Sequence, residues 1–258
     1  IDMDNLGGQI NAFTAKEYTC YYIKVLDTHL DLAMDVLSDM LLNSRYAPED
    51  IGREREVVLE EVHMYEDSPD ELVHDFHLDN VWPGHTLGRN ILGTSQSIAN
   101  FSRDIVAKYY DDFYTPDNIV IAAVGNLTHE AVEELALSCF SKLKGQKRLI
   151  KAAPPVFSGV RNIHNKDTEQ MHLCLGTVSV PQDSTDIYTM HILNNILGGG
   201  ISSRLFQSIR EERGLAYSIY SYQSNYSDCG LFTVYAGTRP ANANNVIELI
   251  LKNIQELK

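Results

Sequence analysis

The sequence predicts an α+β fold of two similarly built domains, each an antiparallel-rich mixed sheet packed against helices on one face. Three observations predict it. Runs with β-strand character alternate with amphipathic helical runs along the chain. One basic, proline-containing stretch near the middle breaks that rhythm. A block of two strands followed by a helix occurs twice, roughly 207 residues apart.

The elements follow in order. Residues 9–26 (QINAFTAKEYTCYYIKVL) are rich in Thr, Tyr, Val and Ile around a polar centre, so they read as a strand pair or one long bent strand. Residues 28–43 place Leu30, Ala33, Leu37, Met40 and Leu41 at helical spacing. Pro48, with Glu49 and Asp50 behind it, opens a second helix running to about Glu66. Ser68 and Glu71, three residues apart, suggest a capping box for a helix over 68–80. A Gly/Pro-rich loop, WPGHTLGRNILG, comes next, then a helix over 102–112. Asn118–Gly125 (NIVIAAVG) is a nearly continuous apolar run of strand length, and 128–143 is an amphipathic helix.

After the break the order restarts. Residues 170–180 read as an apolar strand, 185–197 as a helix ending at Gly198, Gly199 and Gly200, and 202–212 as another helix. A Tyr-rich double strand over 216–236 leads into a closing helix over 241–257. The organisation expected is a first domain over 1–146, a linker over 147–161 and a second domain over 162–258. Each half of the repeat has flanking sequence that the other lacks, so both domains are expected to be incomplete.

Composition narrows the function. The 258 residues are 44% hydrophobic and 22% charged, as in an ordinary globular protein, and the net charge is -14. An acidic surface repels phosphate backbones, which argues against nucleic acid as a partner. No run of about 18 apolar residues is present, so no membrane helix is expected. Cys20, Cys139, Cys174 and Cys229 are far apart and contain no CxxC, which reads as four buried free thiols.

The most informative segment is the helix 48–66. Ile51, Glu54, Val58, Glu61 and Tyr65 are spaced by three and four, so two carboxylates share one face with an apolar stripe. A buried carboxylate needs a cation, a hydrogen-bond network or a proton. A metal ion is one answer. The other is a partly buried face on which Glu54 and Glu61 pair with Arg or Lys. Glu60 and His63 point elsewhere and read as solvated. Arg210 and Tyr217, seven residues apart, bridge a helix end and a strand, which by itself fits a surface charge and a packing residue. His191 reads as a core histidine. His74 and His77 form an HxxH without an adjoining Glu and read as ordinary helix residues.

Five blocks in order, GGQINAFTAKEYTCYY, REREVVLEEV with YEDSPDE, WPGHTLGRNILG, FYTPDNIVIAAVGN and LGGGISSRLFQSIREERGLAYSIYS, resemble the pitrilysin/insulinase family of zinc metallopeptidases. The mitochondrial processing peptidase-like bacterial branch is the nearest in pattern. The resemblance implies Glu61 as the third zinc ligand and Glu54 as a supporting acid. It implies that Asn11, Ala12 and Phe13 lie on an edge strand that pairs with extended substrate, and that Arg210 and Tyr217 hold the substrate carbonyl and its oxyanion. The glycine loop 198–200 would guard access. The family's other two zinc ligands and its base lie in an HxxEH motif, and no HxxEH occurs in this sequence. Two of three zinc ligands are thus expected to be missing, and the chain alone is expected to bind zinc poorly and hydrolyse little. For the full-length protein the resemblance implies an endopeptidase cutting short or presequence-like peptides in a closed chamber, with a homodimer and a bacterial cytoplasmic location expected. The alternative is a non-catalytic scaffold or binding subunit of the same family.

Overall fold

In the computed structural model of the chain, the described residues are 6–146, 148 and 153–257. They divide into two compact units, residues 1–60 with 91–152 and residues 61–90 with 153–258. The division falls inside helix Pro48–Glu66. It groups 61–90 with the second half, whereas the expectation of a first domain over 1–146 put that segment with the first. Most of the central part of the expected linker, at 147 and 149–152, lies outside the described residues.

The first unit begins with an antiparallel hairpin of β1 (Gln9–Thr14) and β2 (Thr19–Lys24), in which Asn11 faces Tyr22 and Phe13 faces Cys20. The turn closes where the Ala15 N–H donates to the Tyr18 carbonyl at 2.8 Å. Helix Leu30–Leu42 buries Ala33, Met34 and Ser38. Met40, at helical spacing in the sequence, is exposed. The helices Arg103–Phe113 and His129–Phe140 begin where Ser102 and Thr128 accept from backbone N–H groups of the first turn, as their N-cap chemistry dictates. The hydroxyls of Tyr21 on β2 and Tyr114 meet at 2.8 Å, and Tyr110 stacks on Tyr114.

Asn118–Gly125 is not a strand. A strand requires a hydrogen-bonded neighbour, and among the described residues none lies beside this run. Val120 and Val124 are 91% and 100% exposed. Apolar composition indicated the conformation the segment favours but not whether a partner strand is present.

The second unit is built on a three-stranded antiparallel sheet in the order β3 (Met171–Ser179), β5 (Gly230–Thr238), β4 (Ala216–Asn225). The central strand β5 is buried along its whole length. Successive side chains on a strand point to opposite faces, so both faces of this sheet are covered. Phe232, Val234 and Ala236 join Leu205, Ile209, Val246 and Ile250 in the main core. Here Ile209 belongs to a π-helical turn, Phe206–Glu211, rather than to the expected α-helix over 202–212, and Val246 and Ile250 to helix Ala243–Gln255. On the other face Leu231 packs with Val81, Trp82 and Leu87. Helix Pro69–Val81 lies on that face, so the expectation of helices on one face holds only for the main core. Trp82, 2% exposed, anchors the loop that follows.

Three further expectations are corrected. Ser68 makes no capping hydrogen bond; its hydroxyl instead donates back to the Met64 carbonyl at 3.0 Å, because the preceding helix ends directly before it. His191, on helix Ile187–Leu197, is exposed rather than in the core. The four cysteines are free as expected, but each is half-buried rather than buried.

Candidate functional site

Glu54 and Glu61 lie on one helix, seven residues or roughly 10 Å of helical rise apart. Their apolar companions Ile51, Val58 and Tyr65 are half-buried, while both glutamates are exposed. The two acids thus do not share the partial burial of the apolar stripe beside them. An unpaired carboxylate is costly to bury, and neither has an ion-pair or hydrogen-bond partner among the described residues. The alternative of pairing with Arg or Lys is equally absent there. Glu60 and His63 are exposed, as the spacing indicated. Among the described residues no three His, Cys, Asp or Glu side chains gather where they could hold a metal ion. The residues present do not by themselves make a zinc site.

Asn11, Ala12 and Phe13 are exposed on β1, which among the described residues pairs only with β2. Among the described residues no strand lies along its other edge. The Asn11 side chain accepts from the Ala12 N–H at 2.8 Å, and the Phe13 ring meets the edge of Tyr18 at 5.8 Å.

Arg210 and Tyr217 are brought together in the second unit. Beyond the π-helical turn the chain reverses at Gly214, whose φ of +61° suits glycine. Its N–H donates to the Arg210 carbonyl at 2.9 Å, and the Leu215 N–H donates to the Ile209 carbonyl at 3.0 Å. The chain then turns into β4, where Tyr217 projects 75% exposed. The Arg210 guanidinium sits 5.7 Å from the centre of the Tyr217 ring and 4.7 Å from that of Phe206. Among the described residues it has no carboxylate partner and no hydrogen-bond acceptor. This arrangement presents a guanidinium beside an exposed phenol.

The glycine run has a structural cause at two positions. A Cβ on Gly198 would lie 2.5 Å from the Ser221 backbone nitrogen, and one on Gly199 would lie 2.7 Å from the Asn195 Cα. The Ser221 N–H donates to the Gly198 carbonyl at 3.0 Å, so the helix end sits directly against β4. Gly200 meets nothing.

His74 and His77, which read from the sequence as ordinary helix residues, belong to a cluster on the face of the second sheet. His74 is hydrogen-bonded through Nδ1 to the Tyr222 hydroxyl at 2.7 Å and through Nε2 to Tyr220 at 3.2 Å. His77 reaches the buried Thr233 hydroxyl at 3.2 Å, and His172 meets Tyr235 at 2.8 Å. Beside it opens a pocket of about 450 Å³ lined by Asp70, His74, His172, Tyr217, Tyr220 and Tyr235, among others. Burial holds His74 and His172 below the usual imidazole range and brings His77 down to about 4. Burial pushes the Cys174 thiol up to about 12 and raises the tyrosine hydroxyls. All these groups are therefore neutral near pH 7, which suits packing rather than nucleophilic chemistry. The signal was in the sequence: Tyr220 and Tyr222 share one strand face, and His74 and His77 share one helix face.

The first unit carries the edge strand β1, and the second carries the Arg210–Tyr217 pair beside its sheet. Residues 100–258 match the family description "Peptidase M16 inactive domain", and residues 2–95 match "Insulinase (Peptidase family M16)". The chain belongs to this insulinase family of peptidases. An uncharacterized zinc protease of Bacillus subtilis (strain 168) is 43% identical over 255 residues, covering 99% of this chain and 62% of the relative. An uncharacterized zinc protease of Streptomyces coelicolor is 43% identical over 257 residues, covering 96% of this chain and 56% of the relative. The chain thus spans about 60% of the length of these curated relatives. Its fold is that of a Pseudomonas fluorescens peptidase M16 inactive domain, with a TM-score of 0.91 at 21% identity over 98% of this chain and 63% of that one. A Helicobacter pylori protease gives 0.85 at 23% identity, over 97% and 63%. Among the described residues no helix is long and apolar enough to cross a membrane.

Proposed function

We propose that the full-length protein is a zinc-dependent endopeptidase acting on short or presequence-like peptides. The observation that carries this reading is the Arg210 guanidinium, lying beside the exposed Tyr217 phenol with no acid among the described residues to neutralise it. Donors fixed in place before reaction stabilise charge that develops on a carbonyl oxygen, and removing one such donor typically costs about 10²–10³ in kcat. Arg210 and Tyr217 would hold the substrate carbonyl and its oxyanion. An extended peptide would add to the edge at Asn11, Ala12 and Phe13, where backbone hydrogen bonds tolerate many sequences.

Glu61 is the one zinc ligand this chain would supply, and Glu54 the acid that supports it. The remaining ligands would have to come from residues other than those described. A homodimer enclosing a chamber, in a bacterial cytoplasm, completes the reading; the free cysteines support that compartment.

The test uses the full-length protein with Glu61→Gln. Bound zinc, measured by elemental analysis, and peptide cleavage should both be lost while the circular dichroism spectrum is unchanged. Retained zinc and cleavage would refute the ligand assignment. A full-length protein that neither binds zinc nor cleaves peptides would instead be a scaffold subunit of the family.

A further inference from the structure

Arg210 carries the proposed chemistry, yet nothing polar among the described residues holds it. An arginine side chain has several free rotors, and Arg210 is only half-buried and has no polar partner among the described residues to fix them. Here the guanidinium is flanked by two aromatic rings, Phe206 at 4.7 Å and Tyr217 at 5.7 Å. The rings differ in their freedom. Tyr217 projects from a strand with its ring 75% exposed. Phe206 is half-buried and opens the π-helical turn, whose next members are locked in place. Leu205 and Ile209, on either side of it, are fully buried in the main core. The Gln207 side chain donates to the Ile201 carbonyl at 2.7 Å, tying the start of the turn to the glycine loop. Two nearby charges, Arg213 and Glu212, pair with each other. Phe206 is thus the anchored face against which Arg210 rests.

We propose that Phe206 is a positioning residue for Arg210: its ring holds the guanidinium beside Tyr217 by a cation–π contact. The inference rests on the reading of Arg210 and Tyr217 as carbonyl-binding groups. The contact leaves the guanidinium N–H donors free, whereas an ion pair would occupy them and neutralise the charge. An aromatic platform fixes the group's place without using the hydrogen bonds it needs for substrate.

The experiment is a mutant cycle in the full-length protein with a peptide substrate. Phe206→Leu should lower kcat three- to tenfold while KM stays within about twofold, and Phe206→Tyr should restore kcat. In an Arg210→Ala background Phe206→Leu should have no further effect, since Phe206 acts only through Arg210. The same loss in both backgrounds, or an unchanged kcat in the single variant, would overturn the positioning role. If Arg210→Ala alone leaves cleavage intact, the carbonyl-binding reading fails first, and the two failures are told apart. Crystal structures give a readout without activity. In Phe206→Leu the Arg210 side chain should leave its place over Tyr217, and in Phe206→Tyr it should keep it. A guanidinium still seated in Phe206→Leu would refute the proposal.

Discussion

Nδ1 of His74 lies 2.7 Å from the hydroxyl of Tyr222, joining helix Pro69–Val81 to strand β4. His77, one helical turn on, rests its ring on Gly176, where a Cβ would come within 2.5 Å of it. Burial is the first cause that lowers both imidazoles, with His74 adding to the effect on His77. Asp70 and Asp75 partly offset this at His74, while His172 adds to it.

The consequence is acid sensitivity of the second unit. A histidine whose folded pKa lies below its unfolded value costs nothing while both states are neutral, above about pH 6.5. As pH falls below that value the unfolded imidazole takes a proton that the folded one resists. With His77 near 4, its share of the loss at pH 5 is on the order of 2 kcal/mol. Urea midpoints should therefore be flat from pH 8 to pH 7 and drop by pH 5. Amides of residues 69–81 should lose hydrogen-exchange protection first. His77→Asn should flatten the acid limb. A wild-type midpoint unchanged between pH 7 and pH 5 would refute the account.

Much of this architecture was legible in the sequence because local chemistry decides it. Pro48 with two acids behind it opens a helix, and the helices expected from 102 and 128 begin there. The Arg210–Tyr217 pair was legible only through family resemblance, since a seven-residue step across a helix end has no period of its own. What failed were features that depend on distant residues. The run at 118–125 has strand composition but no neighbour among the described residues. Glu54 and Glu61 share a face with an apolar stripe, but how far that face is covered depends on residues elsewhere in the chain. The grouping of 61–90 with the second half is decided by Trp82 and Leu87 packing with Leu231, a contact between residues over a hundred positions apart.

The glycine run should divide by position. Gly198→Ala forces a methyl against the Ser221 backbone nitrogen, where no flexible side chain can give way. Overpacking of this kind costs about 1–3 kcal/mol. Gly200 has ordinary φ and open space, so Gly200→Ala should change stability by less than about 0.5 kcal/mol. Denaturant titration of both variants checks this. Equal effects would show that the close approach of helix and strand is not what Gly198 serves.

In the first unit the Tyr21 and Tyr114 hydroxyls are 2.8 Å apart and tie the hairpin to helix Arg103–Phe113. Burial, then the bond to Tyr21, raises the Tyr114 hydroxyl, so that group stays protonated through neutral pH. Replacing either with Phe leaves its partner without this bond, at a cost of about 1 kcal/mol. Replacing both should cost less than the sum of the singles, because no hydroxyl is then left unpaired. A mutant cycle on thermal stability measures the coupling. Strict additivity would mean that the two hydroxyls do not act as a pair.

Glu54 and Glu61 bear on how any loss of activity is read. Both are exposed and unpaired among the described residues, in a chain of net charge -14. Their separation is close to the Debye length of about 8–10 Å at physiological salt, so their mutual repulsion is weak but not zero. Glu54→Gln and Glu61→Gln should therefore leave unfolding free energy within about 0.5 kcal/mol of the parent, with any change towards stability. A structural acid behaves otherwise: removing a paired, buried carboxylate costs about 3–5 kcal/mol. Calorimetry of the metal-free variants decides between these cases. Unchanged stability alongside lost cleavage places the effect in the chemistry, whereas a fall of several kcal/mol would make these carboxylates part of the scaffold and remove Glu61 as a metal ligand candidate.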